Sequence, residues 1–334
     1  MNNGIFVVSL DFELHWGGFE KWPIKDYEPY FLNTRNVIPE LLTLFQFHQV
    51  HATWATVGML FHDSRESLQR STPEPRPSYK EPSLSAYHYI EHHGIGDSEL
   101  KDPFHFAGTL VKKIIETPLQ ELGSHTFAHY YCNEPGQTVT QFTADLQAAQ
   151  RSALLFGKKL KSLVFPRNQF NEEYLKACFR EGFIAVRDNP ADWFWSIKST
   201  RRESVWKRLN RGLDAYLPIG RKNTYRIDSL SCHPGLPVRI PASRLLRPYR
   251  RRDWFFNNLK ISRIRSEMSR AAVNGEIYHL WWHPHNFGNY PKESLQGLKQ
   301  ILDHFALCGE RYGMKSFSMG EVADLVINKH KHEF

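Results

Sequence analysis

No apolar run in this 334-residue sequence approaches the roughly eighteen residues that a membrane-crossing helix needs. Its first residues show no basic stretch leading into an apolar stretch and a small-residue cleavage site, so no secretory leader is expected. Cysteine is sparse. Cys132, Cys178, Cys232 and Cys308 stand apart with no paired spacing. They read as free thiols in a reducing compartment rather than a zinc ribbon or a disulfide framework, and a cytoplasmic protein is expected. Internal repeats and low-complexity tracts are missing too. Negative charge is in deficit, with 35 Asp and Glu against 43 Lys and Arg. A formal net charge of +8 favours an anionic partner: a phosphorylated substrate, a nucleic acid or a membrane surface.

What is present is alternation. Apolar strand-like runs at 5–10, 51–57, 120–123, 162–165, 184–186, 236–240, 276–282 and 315–317 are separated by helical stretches. Helices are expected from Asn33 or Thr34 to about 48, and over 104–116, 138–156, 171–181, 291–312 and 319–328. Thr138 and Gln141 form a capping-box pattern, Asn171 is an N-cap, and Gly157 and Gly182 stand just past helix ends. Strands alternating with helices imply a mostly parallel sheet, and a barrel of such units reaches this length with insertions. The rhythm breaks twice, at 62–103 and at 192–275, so one barrel with a surface excursion and a basic insertion is expected.

The polar residues that follow strands carry the chemistry. Asp11 and Glu13 end the first run, His125 and His129 the third, Arg167 and Asn168 the fourth, and His283 the one at 276–282. In a parallel barrel those positions share the C-terminal face, where active sites gather. With 17 His in the chain, a spacing of four does not by itself single out a pair. On one helical turn, however, His125 and His129 share a face, within reach of one ion. Zinc usually takes a third protein ligand and leaves a position open for water. Glu13 is the expected third ligand with Asp11 beside it as a base, Asp11 being the alternative carboxylate ligand. His279 reads as a core residue and His285 as a further site candidate. Trp281 and Trp282 either line the site or belong to the core.

Assembled in this order, the motifs resemble the polysaccharide deacetylase superfamily, carbohydrate esterase family 4, over nearly the whole chain. Ser9-Leu10-Asp11-Phe12-Glu13 is similar to the first motif, in an Asp-x-Glu form, and residues 52–58 to the second strand. Ser124-His125-Thr126-Phe127-Ala128-His129 matches the His-Ser/Thr-x-x-His metal motif, and Leu280-Trp281-Trp282-His283-Pro284 the last motif. The resemblance implies an irregular α/β barrel of the deacetylase type, with loop and helical insertions. It implies a divalent metal, Zn²⁺ being the expected one, held by Glu13, His125 and His129. It also implies Asp11 as base, Arg167 as the group that orients it, and His283 as general acid. Substrate contacts then fall to Trp281, Trp282, Asn168 and His285. The implied reaction is removal of an N-acetyl or other N-acyl group from a sugar.

Two other readings stay open. One is a deformylase, imidase or other C–N hydrolase on the same barrel. The other is a catalytically dead barrel that binds an anionic glycan or nucleic acid through its arginines. A cytoplasmic deacetylase acts on a precursor, a sugar linked to a nucleotide or to a lipid pyrophosphate. The basic stretches 198–211 and 244–270 interleave cations with Trp206, Leu209, Leu213 and Leu217, then with Trp254, Phe255, Leu259 and Ile261. They read either as two helices lying on an anionic membrane, a peripheral contact at the inner face, or as ordinary amphipathic helices with a solvated basic side.

Overall fold

The computed structural model describes residues 3–189 and 223–331. Nine strands form one sheet among the described residues. They are β1 (Ile5–Phe12), β2 (Ala52–Thr56), β3 (Gln120–Ser124), β4 (Ser162–Leu163), β5 (Ala185–Asp188), β6 (Val238–Pro241), β7 (Arg244–Leu245), β8 (Ile277–Trp282) and β9 (Lys315–Ser316). Their order is β6-β5-β4-β3-β2-β1-β8-β7, with β9 against the start of β1, and every ladder is parallel. Ala242 and Ser243 join the two ends. Ala242 donates its N–H to Asp188 on β5, and Ser243 donates to His279 on β8. The stretch from β6 to β7 therefore changes partners midway and draws the sheet into a barrel.

All eight residues of β1 are buried, because both faces of the strand are covered. Successive side chains take opposite faces. Phe6, Val8, Leu10 and Phe12 pack outward in the main core, under α1 (Ile24–Phe47) and its neighbours. Ile5 and Val7 point the other way and pack with Val164, Ala185, Val238, Ile240 and Ile277. Met319, Val322, Ala323 and Val326 of the closing helix, Met319–Lys331, plug this cluster from below. Further along the same face come Ser9 and Asp11. The interior thus changes from apolar to polar toward the ends of the strands.

Helices α2 (Arg65–Ser71), α3 (Ala86–His93), α4 (Gly108–Glu116), α5 (Val139–Leu154), α6 (Glu172–Arg180), α7 (Trp254–Asn274), α8 (Pro291–Tyr312) and α9 (Met319–Lys331) follow among the described residues. The Thr138 capping box and the Asn171 cap are both formed. Helix α1 starts well before Asn33: the Thr34 hydroxyl bonds back to the Tyr30 carbonyl inside the helix instead of capping it. The expected loop at 64–102 contains α2 and α3, anchored by buried Leu68, Tyr79, Ala86 and Tyr87. Within 223–275 the chain supplies β6, β7 and α7, so this part of the expected insertion belongs to the barrel wall.

The first basic cluster, 198–211, lies outside the described residues. The second departs from the expected membrane stripe. Arg244 makes two 2.7 Å hydrogen bonds to buried Glu267, which Arg263 also approaches at 3.3 Å. Lys260 is buried and donates to the carbonyls of Arg247 and Pro248 and to Asn257. Ile261 is buried as well. Burying a cation is costly without partners, and these partners hold Lys260 and Arg263 against the protein. Arg250, Arg251, Arg252, Phe255 and Phe256 remain exposed. No helix among the described residues is long and apolar enough to cross a membrane.

Candidate metal and catalytic site

Glu13 follows the last residue of β1. The chain then turns sharply, through Leu14 at φ 43° into a single 3-10 turn, Leu14–Gly17. Gly17 lies against the Glu13 carboxyl, where a Cβ would come 2.1 Å from Cδ. Glycine is required there by close approach rather than by its backbone angle. His125 follows β3 directly, and its N–H continues the ladder to Thr56. The segment from His125 to His129 is not the expected helical turn. Thr126 (φ 63°) and His129 (φ 53°) adopt left-handed backbone, a costly geometry for residues with side chains. Asp145 of α5 holds this loop in place by accepting the N–H groups of Phe127 at 2.6 Å and Ala128 at 3.0 Å.

The loop brings the two imidazoles onto one carboxylate oxygen. Glu13 Oε2 lies 3.2 Å from His125 Nε2 and 3.1 Å from His129 Nε2, and all three residues are buried. Ligands about 2.0–2.1 Å from a tetrahedral zinc stand roughly 3.3 Å apart, which these separations match. The outer contacts set the tautomers. His125 Nδ1 lies 2.8 Å from the Val164 carbonyl. A carbonyl only accepts, so Nδ1 carries the hydrogen and Nε2 presents its lone pair to Glu13. The Tyr131 hydroxyl, 3.0 Å from His129 Nδ1, can fix that ring in the same way. Burial lowers the pKa of His129, which keeps the ring uncharged. Burial would raise the Glu13 carboxyl, but His283 beside it outweighs that and holds it well below the ordinary range. In this tautomer two imidazole lone pairs and a carboxylate oxygen converge. That donor set suits a divalent cation, and Glu13, His125 and His129 form a group that could hold one.

Beside them, Asp11 makes a fork-to-fork pair with Arg187 at 2.6 and 2.7 Å. Burial would raise the Asp11 carboxyl. The Arg187 guanidinium, helped by His125 and His283, overrides that and lowers it. Arg187 also donates to Ser9 Oγ at 3.2 Å and lies 4.1 Å over the Trp281 ring.

Arg187, not Arg167, therefore orients Asp11. Arg167 leaves β4 in a left-handed turn with Asn168, pairs with Glu20, and stacks 4.0 Å over Tyr131. Asn168 is half-buried, with its Oδ1 3.4 Å from Arg187.

His283 follows β8. Its Nε2 is 3.6 Å from both Asp11 Oδ2 and Glu13 Oε1, and its side chain is 26% exposed. His285 sits in the next turn, stacked on His283 at 4.8 Å and walled by Trp22 and Tyr30. Burial first, then His283, pushes its pKa down to about 3, so it is a neutral ring. The two tryptophans divide by strand alternation. Trp281 faces the interior under Arg187, whereas Trp282 is fully buried in the outer core against Phe45 and Phe287 and cannot floor a sugar site. His279 is a core residue, hydrogen-bonded to Ser9 Oγ at 2.8 Å.

Sequence reading missed Arg187, Asp145, Tyr131 and Gly17. Two of them left a trace. Arg187 ends a strand-like run just as the other clusters do. Asp145 is a lone carboxyl on the apolar stripe of Phe142, Leu146 and Ala149.

No protein-family model matches the chain, and no curated protein matches it. Solved structures do. A Mycobacterium smegmatis protein assigned to the polysaccharide deacetylases aligns with TM-score 0.60 and 13% identity, covering 99% of this chain and 92% of its own. Puue allantoinase aligns with TM-score 0.55 and 11% identity, covering 97% and 90%. A Pseudomonas aeruginosa PAO1 protein assigned to the polysaccharide deacetylases gives TM-score 0.54 and 11% identity, covering 97% and 91%. The chain has the irregular α/β barrel fold of the polysaccharide deacetylases.

Proposed function

We propose that this protein is a metal-dependent hydrolase that removes an N-acetyl or other N-acyl group from a sugar. One observation carries the reading: a buried Glu13–His125–His129 triad, an Arg187-clamped Asp11 and a partly exposed His283 meet at one barrel mouth. A divalent ion in the triad, Zn²⁺ by its ligand types, would polarise the acyl carbonyl and make a water acidic enough to attack at neutral pH. Asp11 takes the proton from the attacking water. Arg187 fixes the plane of that carboxylate, so the accepting lone pair stays aimed. His283 lies on the open side, exchanges protons with solvent, and gives one to the departing nitrogen. The test is release of acetate from N-acetylated sugars by metal-loaded protein, with and without chelator and with Asp11→Asn as the inactive control.

A different C–N hydrolase on this barrel is the second reading, favoured by the likeness to Puue allantoinase. Release of formate from an N-formyl sugar, or ring opening of a cyclic amide, without acetate release would establish it. A purely glycan- or nucleic-acid-binding barrel leaves the paired Asp11, the triad and His283 without a role. The substrate class we favour is a sugar carried on a nucleotide or a lipid pyrophosphate, in glycan-precursor synthesis in the cytoplasm. The net charge of +8 suits that anionic carrier. Exposed Phe255 and Phe256 beside Arg250, Arg251 and Arg252 suit peripheral contact with an anionic membrane face.

A further inference from the structure

His285 has a buried polar atom with nothing to bond. The residue is 4% exposed, and its Nδ1 has no hydrogen-bond partner. Glu13 Oε1 lies 3.8 Å from it. His283 Nε2 approaches the same oxygen at 3.6 Å. Both separations exceed hydrogen-bond reach, about 3.2 Å for nitrogen and oxygen. The other oxygen of that carboxylate, Oε2, faces the two metal histidines. Oε1 is thus flanked by two imidazole nitrogens, His283 Nε2 and His285 Nδ1, neither within hydrogen-bond distance of it. Among the described residues no carbonyl fixes this ring as Val164 fixes His125, so the nitrogen that faces the carboxylate, Nδ1, carries the hydrogen and is a donor. Folds leave such a donor unsatisfied where a ligand atom completes it.

The two imidazoles are not equivalent. His283 is open to solvent on one side and can renew its proton. His285 is walled by Trp22, Tyr30 and His283, a setting for a donor that keeps its hydrogen.

Resting on the hydrolase reading above, we infer that His285 is a catalytic residue that donates its Nδ1–H to the acyl oxygen of the substrate. Water oxygen adds to the acyl carbon as Asp11 takes its proton, and the carbonyl π pair moves onto the acyl oxygen. The Nδ1–H bond stays intact and its hydrogen bond strengthens as charge develops. The oxygen pair then re-forms the carbonyl as the C–N bond breaks, the C–N electron pair goes to nitrogen, and His283 supplies the proton. His285 takes no net part in proton transfer, and its contribution lies in the transition state.

Two substitutions separate donation from packing. His285→Phe keeps a ring against His283 and removes the donor, while His285→Gln keeps an N–H donor on a different stem. Each is loaded with zinc, and three quantities are measured: zinc affinity by chelator competition, turnover of an N-acetylated sugar, and binding of the N-methylphosphonyl analogue of that sugar, which mimics the tetrahedral state. His285→Phe should bind zinc and melt as the parent does. It should lose about 10²–10³-fold in kcat and a similar factor in analogue affinity, with KM little changed. His285→Gln should retain more of both. Full turnover and full analogue affinity in His285→Phe would overturn the assignment while leaving the hydrolase reading intact. Loss of zinc affinity in parallel with activity would overturn it too, by making His285 a support of the metal. Parent protein that binds zinc but neither cleaves the sugar nor binds the analogue would overturn the hydrolase reading and this inference together.

Discussion

Arg187 at the end of β5 clamps Asp11 at the end of β1 through two hydrogen bonds of 2.6 and 2.7 Å, although β4, β3 and β2 lie between their strands in the sheet. The pair spans the barrel interior. Removing one partner of a buried ion pair strands the other, at a cost of about 3–5 kcal/mol. Arg187→Met should therefore lower stability in urea titration by that order and reduce turnover at neutral pH, while leaving zinc content near the parent level. Arg167→Met should leave the Asp11 clamp untouched, since Arg167 reaches Glu20 and Tyr131 instead.

His125→Ala and His129→Ala should each abolish stoichiometric zinc with the fold retained, as read by metal analysis and circular dichroism. Tyr131→Phe removes the hydroxyl 3.0 Å from His129 Nδ1. Losing an outer-shell partner of this kind typically weakens metal binding by about 10–100-fold, which a chelator competition would resolve. Unchanged affinity in that variant would mean the His129 tautomer is set by another group.

Asp145 gives a pH dependence of stability. Burial pushes its carboxyl up to about 7, against the pull of two backbone N–H bonds. The unfolded chain releases this proton near pH 4, whereas the folded chain keeps it to about pH 7. Between those values the native state binds more protons, so its stability falls as pH rises and levels off above about 7. Asp145→Asn removes that slope. The stability of the parent relative to the variant should drop by an amount on the order of 4 kcal/mol between pH 4 and pH 8, at about 1.36 kcal/mol per unit. Parallel curves for the two proteins would contradict it.

Much of the site was legible because strands announce their ends. Asp11, Glu13, His125 and His283 each follow an apolar run, and a parallel barrel brings such positions together. What the sequence hid was geometry across the barrel. Arg167 and Arg187 both follow strands, and nothing in the chain says which side chain reaches Asp11. The spacing of His125 and His129 looked helical, yet two left-handed residues and a carboxyl from α5 achieve the same convergence. Trp281 and Trp282 are adjacent in sequence and opposite in space, as strand periodicity requires. In the basic stretch 244–270, charge looked like surface until Glu267 and a set of carbonyls appeared beneath Arg244, Arg263 and Lys260.

The membrane proposal now rests on the exposed end of α7. Replacing Arg250, Arg251 and Arg252 together with Ser should release the protein from anionic liposomes without altering hydrolysis of a soluble substrate. Each cation near the surface is worth about 1 kcal/mol, and added salt should weaken the parent's binding in the same assay. Equal sedimentation on neutral and anionic vesicles would remove the membrane from the account.

The central claim is that Glu13, His125 and His129 hold the metal that makes this barrel an N-acyl hydrolase. Zinc stoichiometry and acetate release from N-acetylated nucleotide sugars, measured on the same preparations of the parent and Glu13→Ala, test it most directly. One zinc per chain with acetate release in the parent, and loss of both in Glu13→Ala, is the predicted result. Acetate release that persists in metal-stripped Glu13→Ala would contradict it.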